Sequence, residues 1–268
     1  MIKRSVTENG LVGDLFHNGL SQPQKAIIML GGSEGGRVWS RVKRPVELLV
    51  KQGYSLFSLA YFKAQGLPDS LENIPIEYFE KAFAWLSAQP EIVSDEYAIL
   101  GGSKGAEAAL LLGSRYPQIK TVIAFSPSSV VWQGIPRNRF ALGKTAKSSW
   151  SCEGKSLPFL PYTSSIKVID LLTLQLLKAH KEALENTARV EETAIPVENT
   201  RGAIMLISGK RDRLWPSTKM SEQIMSRLTT RDFTHHYEHI AFDTGHNGLI
   251  MNKTGWRKIF DFLKQHFS

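Results

Sequence analysis

Residues 97–107 read YAILGGSKGAE: an apolar run, then Gly-Gly-Ser-Lys-Gly, then an Ala- and Leu-rich run with helical spacing. Gly-x-Ser-x-Gly between a strand and a helix describes a backbone bend sharp enough to hold the serine above the sheet edge. In such a bend, side chains at Gly101 and Gly105 would collide with neighbouring chain. Glycine costs most to order on folding, so three around one serine need a reason of this kind. Ser103 Oγ would then act as a nucleophile on a carbonyl. The N–H of Lys104, opening the helix, would face the developing oxyanion. The plain alternative is a glycine-rich turn.

A nucleophilic serine needs a base, an acid to orient it and a second oxyanion donor. Of the seven histidines, His235, His236 and His239 fall in or beside a strand, and His180 and His266 fall on helical segments. His17 precedes the core. His246, in DTGHNG, follows a late strand in a loop that glycines free to reach inward, and is the expected base. The acid should follow a strand in the chain order Ser, Asp, His. Asp212, in SGKRDRLWPS, meets this; Asp243 competes but lies only three residues from His246. The second donor is expected from LGGSEGG (30–36), as the N–H of Ser33 or Glu34. That loop lacks the Lys-Ser/Thr of a P-loop, which disfavours nucleoside triphosphates. Gly32, Trp132, Phe159 and Trp215 are the expected substrate contacts, and the Lys104 side chain is expected in solvent.

These side chains need a scaffold. Short aliphatic runs recur at 25–30, 54–60, 97–101, 121–126, 203–208 and 235–242. Helical spacing marks 76–89, 103–116, 217–228 and 254–267 between and after them. Continuously apolar strands alternating with helices predict an α/β fold, a mostly parallel sheet covered on both faces. From about 127 to 200 the rhythm stops: no strand is legible, and a long helical pattern occupies 168–184. A structureless loop of that length is uncommon, so this interval is read as a helical cap inserted over one end of the sheet. Residues 1–268 are otherwise read as one domain.

The 268 residues are 42% hydrophobic and 22% charged, an ordinary globular balance. No stretch approaches the ~20 apolar residues of a membrane span, and the N-terminal residues lack a secretory apolar core. A single cysteine, Cys152, fits a reducing compartment, so a cytoplasmic address is expected. The net charge is +8 and the basic residues are scattered, with two local concentrations: Arg37, Arg41, Lys43 and Arg44, and Arg137, Arg139, Lys144, Lys147 and Lys155. No nucleic-acid-binding motif accompanies them, so they are either solvated surface or attractors of a phosphorylated small molecule.

GGSKGAEAALLLGSRYP, FSPSSVVWQG, GKSLPFLPY, IPVE and SGKRDRLWPS together resemble the C-terminal catalytic domain shared by acyl-CoA thioester hydrolases and bile-acid-CoA:amino-acid N-acyltransferases. The similarity runs from about residue 20 to the end. It implies an α/β-hydrolase fold, with Ser103 as acyl-accepting nucleophile, Asp212 as acid and His246 as base. Animal relatives carry a preceding β-sandwich; here some twenty residues precede the core, enough for one or two edge strands. The family's histidine loop often continues into a Pro-Pro segment, whereas this chain reads GHNGLIMN. Amino-acid-conjugating members resemble this chain but use cysteine at the elbow, so Ser103 implies water as final acceptor. The expected substrate is an acyl thioester or related ester, with no cofactor or metal required. Alternatives are a dienelactone-hydrolase-like carboxylesterase, an amine acyltransferase, and a catalytically silent binding module.

Overall fold

The computed structural model describes the chain apart from residues 20–21, 143–145, 163–165, 167 and 174. Eight strands form the central sheet: β1 (Ile2–Glu8), β2 (Leu11–His17), β3 (Gln24–Leu30), β4 (Ser55–Ala60), β5 (Ile92–Gly102), β6 (Ile119–Phe125), β7 (Ala203–Gly209) and β8 (Tyr237–Phe242). Their order is β1-β2-β4-β3-β5-β6-β7-β8. The β1–β2 hairpin is antiparallel and joins β4 antiparallel; every pairing from β4 to β8 is parallel. The first residues therefore supply two strands at one side of the sheet, with β1 at its edge.

Alternation along each inner strand explains the unbroken apolar runs. In β3, Ala26, Ile28 and Leu30 enter one core, while Ile27 and Met29 enter the other. Helices α1 (Lys43–Lys51) and α8 (Lys253–His266) close the second core through Leu49, Val50, Ile259 and Leu263. Helices α2 (Tyr78–Ser87), α3 (Lys104–Gly113) and α7 (Ser217–Thr230) close the first. Each fully buried aliphatic side chain contributes about 1.5–3 kcal/mol, which is what makes two-sided burial hold the sheet. Helix α1 was not legible in the sequence: its first turn carries Lys43, Arg44 and Pro45, and only Val46, Leu49 and Val50 mark its apolar side. Cations at a helix N-terminus oppose its dipole, so tertiary burial carries this helix.

Two expectations for the cap are corrected. Strands do occur there: Trp150–Cys152 pairs with Ile74–Pro75 on one side and with Lys155–Ser156 on the other, in a small separate sheet. The predicted long helix is two, α4 (Val168–Thr173) and α5 (Leu177–Ala183), followed by α6 (Thr187–Glu192). The chain is diverted because Leu177 N donates to the carbonyl of Arg213, 3.0 Å away in the loop after β7. A tertiary hydrogen bond thus replaces the helical one and ties the cap to the loop carrying Asp212. Of the basic residues in this region, Lys144 lies outside the described residues, and Arg137, Lys147 and Lys155 are exposed.

Candidate active site

Ser103 occupies the turn between β5 and α3 with φ +56° and ψ −119°, a left-handed conformation for a non-glycine residue. Such a backbone costs on the order of 1–3 kcal/mol and persists only where its surroundings fix it. Here Ser103 N donates to Phe125 O at 2.9 Å, anchoring the turn to β6. A Cβ on Gly101 would lie 2.0 Å from Gly105 O, and one on Gly105 would lie 2.4 Å from Gly31 O. Those two positions admit only glycine. The intervening Gly102 has open space around its would-be Cβ, so it is not sterically required.

The loop after β3 passes directly over this turn. A Cβ on Gly32 would come within 3.1 Å of Ser103 Cβ, and Gly32 N donates to Glu34 Oε1 at 2.9 Å. The N–H groups of Ser33, Glu34 and Lys104 take no hydrogen bond among the described residues. Ser33, Glu34 and Lys104 line the same cavity as the serine.

Asp212 and His246 meet across the ends of β7 and β8. His246 Nδ1 lies 2.7 Å from Asp212 Oδ2. Because a carboxylate only accepts, Nδ1 carries the hydrogen and Nε2 is left with a lone pair. Asp212 is itself immobilised: Oδ1 accepts from Leu214 N and Trp215 N at 2.9 and 3.2 Å, and Oδ2 from Ser217 Oγ at 2.8 Å. The two loops are stitched by Arg211 N donating to Thr244 O, and Ser126 Oγ donates to the His246 carbonyl. His246 Nε2 is buried with no hydrogen-bond partner among the described residues. His246 and Ser103 line one cavity of about 270 Å³. Asp243, the competing carboxylate, points into solvent and pairs with Arg211 Nε at 2.9 Å.

The cavity runs beneath the cap, which contributes Tyr162, Leu171, Leu176 and His180 to its wall beside Trp215. A narrower cleft of about 60 Å³ opens on the other side of Ser103 and His246, lined by Val38 and Val42. Beyond it Arg41, Lys43 and Arg44 are exposed, while Arg37 is held by Asp14 at 3.1 Å. The expected substrate contacts divide. Trp215 lines the larger cavity and Gly32 the narrower cleft. Trp132 is fully buried behind the wall, stacked on Tyr162 and donating to Ser128 Oγ, so it is not a wall residue. Phe159 packs against the main core instead, because the small sheet draws its segment towards Trp150.

The Lys104 side chain also departs from expectation. It is 2% exposed and pairs with Glu107 at 2.6 Å, because the first turn of α3 faces the cap rather than solvent. Burial pulls the Lys104 ammonium below its ordinary range despite the attraction of Glu107, and burial raises the Glu107 carboxyl. Glu107 further accepts from Trp150 Nε1 at 2.8 Å and Trp132 N at 3.2 Å, joining the elbow helix to the cap.

Sequence reasoning passed over His180 as an ordinary helical residue. It is buried, its Nδ1 bonds to Leu176 O at 2.8 Å, and burial holds its imidazole down at about 4. Its ring stands edge-on among Trp132, Tyr162 and Trp215. The signal available was its place on the same apolar side as Leu176, Ala179 and Ala183.

Comparison with known proteins places this geometry. Residues 74–249 match the family model described as BAAT / Acyl-CoA thioester hydrolase C terminal. Acyl-coenzyme A amino acid N-acyltransferase 2 of Mus musculus is 30% identical over 229 residues, 85% of this chain and 50% of that protein. Acyl-coenzyme A thioesterase 1 of the same species is 28% identical over 206 residues, 77% of this chain and 44% of that protein. The chain spans about half the length of the curated relatives it matches. An esterase from Pyrococcus furiosus aligns with TM-score 0.64 and 18% identity, over 100% of this chain and 91% of that one. The alpha/beta hydrolase GrgF from Penicillium aligns with TM-score 0.60 and 16% identity, over 99% and 97%. The chain belongs to the BAAT / Acyl-CoA thioester hydrolase C terminal family and carries the α/β-hydrolase fold.

Proposed function

We propose that this protein is a serine hydrolase of acyl thioesters of the acyl-CoA type, working through Ser103, His246 and Asp212. The observation that carries the reading is His246, its Nε2 buried and unpartnered among the described residues, its Nδ1 2.7 Å from Asp212, and its ring sharing a cavity wall with the strained Ser103. Ser103 Oγ attacks the thioester carbonyl as His246 Nε2 takes its proton. Lys104 N–H and the N–H of Ser33 or Glu34 hold the tetrahedral oxyanion, an arrangement in which one donor is worth about 3–4 kcal/mol. His246 then passes the proton to the leaving thiol, and an acyl-enzyme on Ser103 remains. Water, deprotonated by His246, attacks the ester; the acid departs and the proton returns to Ser103.

The two openings beside Ser103 suit the two halves of such a substrate. The acyl group enters the cavity under the 127–200 lid, whose wall is mainly apolar. The leaving group lies along the Val38–Val42 cleft, where exposed Arg41, Lys43 and Arg44 attract its phosphates. Relatives are named both thioesterases and amino acid N-acyltransferases. Serine rather than cysteine at the elbow favours water over an amine as acceptor. A reducing, cytoplasmic setting belongs to the reading and rests on the single Cys152.

The test compares acyl-CoA thioesters with p-nitrophenyl esters of equal chain length, using wild type and Ser103→Ala. Thioester turnover exceeding ester turnover, lost in the alanine variant, is the expected result. Ester turnover alone moves the protein to the carboxylesterase reading. Glycine or taurine conjugates forming in preference to free acid move it to acyl transfer. Wild-type rates in Ser103→Ala would refute the mechanism.

A further inference from the structure

The cavity beneath the cap holds two polar groups that neither the fold nor the proposed reaction uses. Because a carbonyl only accepts, the bond from His180 to Leu176 O places the hydrogen on Nδ1 and leaves Nε2 as a lone-pair acceptor. Nε2 has no hydrogen-bond partner among the described residues. Burial keeps the ring neutral at ordinary pH. In edge-on contact with the His180 ring, Trp215 is 2% exposed, and its Nε1–H is buried without a hydrogen-bond partner among the described residues. Both residues line the cavity, with ring centroids 5.9 Å apart and planes nearly perpendicular.

One group is an acceptor and the other a donor, while Ile135, Leu142, Leu171 and Leu214 make the wall around them apolar. We infer that this cavity takes an acyl group bearing a hydroxyl, whose O–H donates to His180 Nε2 and whose oxygen accepts from Trp215 Nε1–H. The inference rests on reading this cavity as the acyl site of a hydrolase. A ketone could satisfy only the indole, an ammonium only the imidazole, and an unsubstituted chain neither. Sites built to pair with a substrate hydroxyl discriminate strongly against the analogue lacking it, because the buried partners are then left unpaired. At about 270 Å³ the cavity falls near the lower end of the ~300–1,000 Å³ range of small-molecule sites, which points to a short chain.

Calorimetric titration of the Ser103→Ala protein with hexanoic acid and its hydroxylated isomers, the hydroxyl walked along the chain, separates this inference from catalysis. One isomer is expected to bind at least roughly tenfold tighter than hexanoic acid. His180→Phe and Trp215→Phe should each erase that advantage, and His180→Gln, which keeps an acceptor, should restore much of it. Near-ultraviolet circular dichroism confirms that each variant is folded, and the isomer comparison decides the matter even where a variant is not. Equal affinity for all isomers and hexanoic acid overturns the inference, whatever the protein hydrolyses. Selective binding of one isomer by a protein that turns over no thioester or ester upholds it and removes the hydrolase reading instead.

Discussion

Two buried acid–base pairs flank the elbow, and they stand in opposite relations to the cavity. In the first, Asp212 is saturated by Leu214, Trp215, Ser217 and His246, yet His246 retains a buried Nε2 with no partner. In the second, Glu107 accepts from Lys104, Trp132 and Trp150, so that its carboxylate is spent on joining α3 to the cap. Both pairs are largely buried. What differs is whether one atom is left over. An unpaired lone pair beside Ser103 is a place for a proton to go, whereas a carboxylate enclosed by donors can only hold segments together. Burial alone would not have separated reaction from architecture.

The sharpest way to break this contrast is to damage each pair in turn. Asp212→Asn should lower kcat by about 10⁴, since the amide no longer enforces the Nδ1–H tautomer of His246. Asp243→Asn, altering only a solvent-exposed ion pair, should leave kcat within about twofold. Steady-state kinetics on a thioester measures both; the reverse ranking would assign the orienting role to the wrong carboxylate.

Glu107→Gln should act on stability instead. It leaves the Lys104 ammonium buried without its counter-charge, which costs about 3–5 kcal/mol and lowers Tm by roughly 10 °C. Replacing both members, Lys104→Met with Glu107→Gln, should recover most of that loss, because the buried charge is gone while the amide oxygen still accepts from Trp132 and Trp150. Differential scanning calorimetry decides this. A double variant no more stable than Glu107→Gln alone would show that the pair does more than bridge elbow and cap.

His180 adds a third, smaller effect. Its imidazole is held down at about 4 in the folded protein against 6.5 for a free side chain. The unfolded chain therefore binds the proton first as pH falls. The stability that His180 contributes is present above about pH 6.5 and is lost between there and pH 4, a decline of up to about 3 kcal/mol. Denaturant unfolding across that window should show the decline, and His180→Phe should flatten it. An unchanged slope would place the pH dependence elsewhere.

Much of this molecule was written locally. The apolar runs fixed β3 to β7 within about five residues, because strands buried on both faces must be aliphatic throughout. Gly101 and Gly105 announced the elbow because a Cβ at either would meet backbone carbonyls. The loop glycines and the order of Ser103, Asp212 and His246 were legible for the same reason: each follows a strand and needs only its own turn. Cap features were not legible in this way. The break between α4 and α5 comes from Leu177 bonding to Arg213, a partner thirty-six residues further along the chain. The burial of Lys104, the removal of Trp132 and Phe159 from the cavity wall, and the meeting of His180 with Trp215 likewise depend on which face the cap turns inward. Sequence by itself determined the elements and the residues at their ends, since sterics and burial act over neighbouring positions. Only the tertiary structure decided which polar atoms are left unpaired in the cavity, because that depends on partners brought together across the chain.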